Sequence, residues 1–251
     1  ESDSLPGLAN RFLGRFSRRI AVSFAGTQEF FPPAKIALIG NPIRLELMQG
    51  SREEAKIIFN LTGNKPVLLV LGGSQGAQAI NEFIISISPR LLEKYEIIHQ
   101  VGVANAQSVE TAIKQNFNPP AGGQIPTAYH FLPFLDENHL KHALAVAGLV
   151  IARAGAGSIF EIAACAKPSI LIPLPTAAQD HQKANAFEYA KSGACLVIEQ
   201  PNLTPNLFLS EIDRLLNNSE LLRKMSDCAK SFSRPEAGQK IAEELMKLAR
   251  S

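Results

Sequence analysis

Val67-Leu68-Leu69-Val70-Leu71-Gly72-Gly73-Ser74-Gln75-Gly76-Ala77 runs from branched aliphatic side chains straight into a cluster of glycines. The apolar run has the length and composition of a strand covered on both faces. The glycines behind it let the backbone bend sharply and begin a helix. The same physical unit recurs at Leu149-Val150-Ile151-Ala152, followed by Arg153-Ala154-Gly155-Ala156-Gly157-Ser158 and the helical Ile159-Phe160-Glu161-Ile162-Ala163-Ala164. The first amides of such a helix have no partner within it, and the dipole there favours negative charge, so phosphate is a natural guest. Two such turns in one parallel sheet point to a nucleotide that carries a diphosphate.

Outward from these units, strands and helices alternate. Strands are expected at 96–101, 127–132, 169–174 and 194–198, and helices at 51–60, 77–87, 104–114, 137–145, 182–191 and from Asn206 onward. That alternation predicts an α/β fold, a doubly wound parallel sheet whose ligands sit outside the carboxyl ends of the strands. Ahead of it, strands at 20–24 and 35–39 precede Gly40-Asn41-Pro42, which reads as a domain hinge. Residues 5–19 read as a short basic helix with Leu8, Phe12, Leu13 and Phe16 on one face and Arg11, Arg15, Arg18 and Arg19 beside them. Such a helix either packs on a core or lies on an anionic membrane surface.

The chain has 251 residues, 46% of them hydrophobic, enough for a sizeable core, and a net charge of +2, too weak to argue for nucleic acid. Cys165, Cys195 and Cys228 are far apart and form no CxxC pair, which reads as buried thiols in a reducing compartment. No apolar run approaches the roughly 20 residues of a membrane span, and nothing reads as a signal peptide. The chain opens at Glu1 without a methionine, which fits an excerpt of a longer protein.

Gly72 to Gly76 is neither a GxGxxG fingerprint nor a P-loop, so it reads either as a bare structural turn or as amides that, with the Ser74 hydroxyl, hold a phosphate oxygen. Ser158-Ile159-Phe160-Glu161 fits a capping box. Alternatively, Glu161 accepts from both hydroxyls of a ribose diol. In Thr176 to Asn185, a helix would bring His181, Gln182 and Asn185 to one face, where amides and imidazole suit sugar hydroxyls; a solvated polar face is the other reading. His139 and His142 read as a solvated helix face, and no metal or cofactor is expected, because no histidine spacing or Asp-x-Asp pair suggests a cation site. No nucleophile–base pair is evident.

Taken together, Gly-Gly-Ser-Gln-Gly-Ala at 72–77, Arg153-Ala154-Gly155-Ala156 with Glu161 behind it, and Ile170-Leu171-Ile172-Pro173 leading to His181-Gln182-Lys183-Ala184-Asn185-Ala186 closely resemble the MurG family of bacterial N-acetylglucosaminyltransferases. Pro6-Gly7-Leu8-Ala9-Asn10 and Gly40-Asn41-Pro42-Ile43-Arg44 agree as well, so the resemblance covers essentially the whole chain. It implies the GT-B architecture, two Rossmann-like domains with the active site between them. Residues 1–43 would close the acceptor domain, 44–235 would form the UDP-sugar donor domain, and 236–251 a C-terminal helix. The uracil would lie against the backbone of Phe134 and Leu135 with Arg44 nearby, and Glu161 would bind the ribose. Gly73, Ser74 and Gln75 of the first turn, with Ala156 and Ser158 of the second, would face the diphosphate, and Gln182, Asn185 and His181 the sugar.

The reaction implied is an inverting transfer of N-acetylglucosamine from UDP-N-acetylglucosamine to the 4-hydroxyl of the muramyl sugar of undecaprenyl-linked lipid I. Its product is lipid II for peptidoglycan, hence cell-wall growth and division, made at the cytoplasmic face of the cell membrane by a peripheral enzyme. The histidine base and glycine loops of the family's first domain are absent from these residues, so the chain alone is expected to bind donor without turnover. Other readings are another GT-B UDP-sugar enzyme, such as an epimerase or a glycolipid glycosyltransferase, and a noncatalytic donor-binding subunit of a two-chain transferase.

Overall fold

The structure, a computed structural model, describes residues 1–73, 76–117, 126–177 and 180–250. Its centre is a six-stranded, wholly parallel sheet of β3 (Val67–Leu71), β4 (Glu96–Gln100), β5 (Tyr129–Leu132), β6 (Leu149–Ala152), β7 (Ser169–Leu171) and β8 (Cys195–Val197), in the order β5-β4-β3-β6-β7-β8. The chain steps outward from β3 through β4 to β5. It then returns to lay β6 on the other side of β3 and steps outward again. This reversal between β3 and β6 parts the helices that follow them and opens a crevice at the carboxyl edge.

Alternate residues of each strand supply two separate cores, as the two-residue period of a pleated strand requires. Leu69, Ile98, Val150 and Leu171 pack with α2 (Arg52–Ile58), α5 (Glu137–Val146), α6 (Ala156–Ala164) and α7 (His181–Ala190). Leu68, Val70, Ile97, Leu149, Ile151 and Ile170 pack with α3 (Gln78–Lys94), α4 (Ala106–Asn116) and α8 (Pro205–Leu216). Covering both faces explains why β3 and β6 read as unbroken apolar runs.

Three local expectations differ from the structure. The helix after the first glycine turn continues past Ile87 to Lys94, through Pro89. A proline there deletes the amide that would donate to the Ile85 carbonyl. Ser88 Oγ (2.7 Å) and Asn116 Nδ2 (2.6 Å) donate to that oxygen instead, and the buried Leu91 and Leu92 anchor the extension. Strand β7 ends at Leu171 because Pro173 cannot donate to a neighbouring strand. The basic helix is short, α1 (Leu8–Leu13), and none of its residues is buried within this chain.

Residues before Gly40 form their own two-stranded parallel sheet, β1 (Ile20–Val22) with β2 (Ile36–Leu38). They are fastened to the main body all the same. Phe24 is fully buried between Phe160 of α6 (ring centroids 5.2 Å) and Phe232 (6.0 Å) at the end of α9 (Ser219–Phe232). Tyr189 of α7 stacks edge-on to Phe232 at 4.8 Å, which extends the aromatic cluster. The last helix, α10 (Ala237–Arg250), returns to the small sheet, with Glu244 paired to Arg19 at 3.2 Å.

Phe24→Ala is therefore expected to destabilise the chain by about 3–5 kcal/mol and Phe24→Leu by no more than about 1.5 kcal/mol. Denaturant unfolding measures both. A loss below about 1 kcal/mol for the alanine variant would mean that the first segment is not part of the cooperative core.

Candidate nucleotide site

Where β3 and β6 part, a cavity of about 170 Å³ is lined by Arg44, Gly73, Gln100, Phe134, Leu135, Ser158 and Glu161, with Leu71, Leu140, Leu144 and Ile162 as its apolar wall. Six residues expected at the site thus meet in one place: Arg44, Gly73, Phe134, Leu135, Ser158 and Glu161. Drug-sized ligands occupy roughly 300–1,000 Å³, so this cavity has room for the nucleoside end only. A larger cavity of about 610 Å³ lies between the β1–β2 pair and α10 and includes none of these residues.

The two glycine turns meet the cavity differently. Gly73 has φ of +74° and Gly76 +70°, and a Cβ on Gly76 would fall 2.4 Å from the Val101 carbonyl, so the backbone itself demands both. Ser74 and Gln75 lie outside the described residues. In the second turn a Cβ on Gly155 or Gly157 would meet nothing within 4 Å, and neither glycine is in the left-handed region. Among the described residues nothing requires glycine at these two positions, which fits a backbone kept bare for close approach by a ligand.

Helix α6 begins at Ala156 with Gly155 as its cap residue and no side-chain cap. The capping box is therefore not formed: Ser158 sits in the first turn and is not the cap residue. Instead Arg44 donates to Glu161 through Nε (2.9 Å to Oε1) and Nη2 (3.0 Å to Oε2). The Glu161 side chain is 20% exposed and that of Arg44 41%. The hydrogen bonds to Glu161 raise the guanidinium pKa against the opposing cost of its burial. The uncapped amides of α6 remain as donors for an anion.

Gln100 was not singled out in the sequence. As the last residue of β4 it bridges the site: its Nε2 donates to the Gly73 carbonyl (3.1 Å), and its Oε1 accepts from the Leu135 amide (3.3 Å). The Leu135 N–H, part of the backbone expected beside the uracil, is thus engaged from within. Arg153, quoted in the second motif but given no role, donates to the carbonyls of Ile172 (3.1 Å) and Pro173 (3.2 Å) and to Gln200 Oε1 (2.8 Å). It ties the ends of β6 and β7 to the segment after β8, and its burial lowers its pKa. The position of both residues at strand carboxyl ends was the available signal.

The sugar-facing residues part company. Gln182 Oε1 accepts from the Leu174 amide at 3.1 Å, and among the described residues nothing engages its amide nitrogen. His181 is half-buried beside it, at the start of α7. Asn185 is wholly buried and does not share their surroundings. Its Nδ2 donates to Asp3 Oδ1 (2.7 Å) and to the Ala154 carbonyl (3.3 Å), and its Oδ1 accepts the Ser4 amide (2.7 Å). In this arrangement both of its N–H groups serve the fold, and Asn185 is a junction between the first residues and the end of β6. His142 is likewise not on a solvated face: buried, it accepts the Ser51 amide at Nδ1 (3.0 Å) and pairs with Glu54 at Nε2 (2.9 Å).

The model of the glycosyltransferase family 28 C-terminal domain matches residues 67–241, which span the sheet, both glycine turns and the helices behind them. The chain belongs to this family. It is similar to two curated UDP-N-acetylglucosamine–N-acetylmuramyl-(pentapeptide) pyrophosphoryl-undecaprenol N-acetylglucosamine transferases. With that of Thermodesulfovibrio yellowstonii it shares 35% identity over 97% of this chain and 64% of the relative. With that of Halothermothrix orenii it shares 39% identity over 94% of this chain and 64% of the relative. Among solved structures, MurG of Acinetobacter baumannii superposes with a TM-score of 0.77 at 28% identity, over 98% of this chain and 65% of that one. The chain thus spans about two thirds of the length of the relatives it matches.

If the second turn is a phosphate cradle, Gly157→Ala leaves stability unchanged or raises it by up to about 1 kcal/mol, since alanine is the better helix former. The same methyl lowers affinity for UDP about tenfold or more by crowding the ligand. Thermal melts and calorimetric titration read the two effects. Undiminished UDP affinity would make the turn purely structural.

Proposed function

We propose that the chain is the donor-binding part of an N-acetylglucosaminyltransferase that converts lipid I to lipid II. The observation that carries this reading is the meeting of Arg44, Gly73, Phe134, Leu135, Ser158 and Glu161 at the β3–β6 crevice, in a chain of this family. The nucleoside occupies the cavity, and the diphosphate runs over the bare Gly155–Gly157 turn. The sugar then lies towards Gln182 and His181.

In such a transfer the acceptor 4-hydroxyl attacks the anomeric carbon, the bond to the diphosphate breaks with inversion, and UDP departs with the electron pair. The free amides and dipole of α6 stabilise the charge that grows on the leaving diphosphate. Among the described residues Glu161 is the carboxylate that lines the cavity, and it is engaged by Arg44. Proton removal from the acceptor is therefore assigned to groups beyond this chain, which binds donor and does not turn over by itself.

Calorimetric titration with UDP-N-acetylglucosamine, UDP-N-acetylgalactosamine and UDP, without metal, tests the reading. Binding of UDP and of the first sugar nucleotide, with the 4-epimer about tenfold weaker or more, is expected. Equal binding of the two sugars would favour an epimerase or a less selective transferase, and transfer to a lipid I analogue by this chain alone would overturn the division of labour.

We also propose that the enzyme works at an anionic membrane surface as a peripheral protein. No helix among the described residues is long and apolar enough to cross a membrane. Support comes from α1 and the residues after it, where Leu8 (70%), Phe12 (59%), Leu13 (56%) and Phe16 (73%) are exposed among Arg11 and Arg15. Apolar side chains ringed by cations suit a headgroup boundary. Replacing Phe12 and Phe16 with serine is expected to lower co-sedimentation with phosphatidylglycerol vesicles severalfold. Unchanged binding, or equal binding to neutral vesicles, would refute the assignment.

A further inference from the structure

We infer that Arg44 is a positioning residue for ribose recognition, acting through Glu161 and not by reading the base. The inference rests on the proposed nucleotide site and assigns Arg44 a task different from the one the family resemblance suggests. The two residues are 117 positions apart in sequence and come together only in the fold. Arg44 stands just before the turn at 45–49, whereas Glu161 lies on α6, one turn past the amides assigned to the diphosphate.

The contact has the geometry of recognition. Two parallel N–H···O bonds of 2.9 and 3.0 Å, one to each carboxylate oxygen, set the plane of the carboxylate and its rotation about the side-chain axis. A lysine in the same place would supply charge without that constraint. Glu161 is four-fifths buried and shares the cavity wall with Leu140, Leu144 and Ile162, where an ionised carboxylate needs a partner. The fork engages one lone pair on each oxygen, and an ionised carboxylate offers about four acceptor sites in all. Glu161 therefore remains an acceptor towards the cavity while Arg44 holds it. A ribose hydroxyl is a neutral donor that gains most from an acceptor already ionised and oriented. The guanidinium faces the carboxylate with Nε and Nη2, so its side-on fork is the one that Glu161 occupies.

The test compares ligand discrimination, a readout that general loosening of the site does not move selectively. The wild-type chain is titrated with UDP, 2′,3′-dideoxy-UDP and CDP. Loss of the hydroxyls is expected to weaken binding about tenfold or more, the usual size for hydrogen bonds to a charged group. In Arg44→Met the preference for UDP over the dideoxy nucleotide is expected to shrink to about threefold or less, while the preference for UDP over CDP stays at the wild-type ratio. Glu161→Gln should reproduce the first loss, and the double variant should be no worse than either single one, as for residues acting as a unit. Arg44→Lys, which keeps the charge and is the safer variant for folding, should recover only part of the ribose preference. The inference is overturned if Arg44→Met keeps its ribose preference, or if its preference for uracil over cytosine collapses instead. A wild-type chain that fails to distinguish UDP from CDP would sink the nucleotide site itself, an outcome separate from either of these.

Discussion

The reversal of strand order between β3 and β6 is the constraint from which the site follows. Every connection in the sheet joins parallel strands, so each helix must cross a face of the sheet before the next strand begins. At one place only, between the neighbours β3 and β6, the chain leaves in opposite directions. The two turns that follow these strands are thereby adjacent in space although about eighty residues separate them in sequence. An uncapped helix end, a carboxylate and an apolar wall can then gather without any long loop to organise them.

What local chemistry dictates was legible in the sequence. β3 and β6 have the predicted limits because a buried parallel strand must be apolar on both faces, and the run stops at Gly72 after β3 and at Arg153 after β6. The parallel, doubly wound architecture followed from that pattern. Features that depend on partners far along the chain were not legible. Pro89 should have ended α3, and nothing local shows that Ser88 and Asn116 take over the orphaned carbonyl. His142 looked like a surface residue because its partners, Ser51 and Glu54, lie on another helix and the turn before it.

The site shows the same division. The residue types were readable, since glycines at a strand end, a carboxylate behind them and amides on a later helix suit a sugar nucleotide. Their pairings were not. Glu161 could cap its own helix or bind a diol, and the structure gives it a third partner in Arg44. Gln100 carries no motif and is recognisable only from the register that places it at the end of β4, beside the first turn. Asn185 had the right chemistry for a sugar and is instead spent within the fold, because Asp3 and Ser4 reach it first.

That last arrangement has a bearing on how the molecule can be dissected. A cut made before Ile20 to isolate the sheet domain would look harmless in sequence, since it removes no strand and no buried apolar helix. It would strip Asn185 of two of its three partners in the dry centre of the protein and leave only the bond to Ala154. Each orphaned polar group costs roughly 1–3 kcal/mol, and Ala154 lies directly before the turn assigned to the diphosphate. The practical limit of the donor-binding unit is therefore set by a hydrogen-bonding amide on α7 and falls ahead of Asp3, well upstream of the glycine that looks like a hinge.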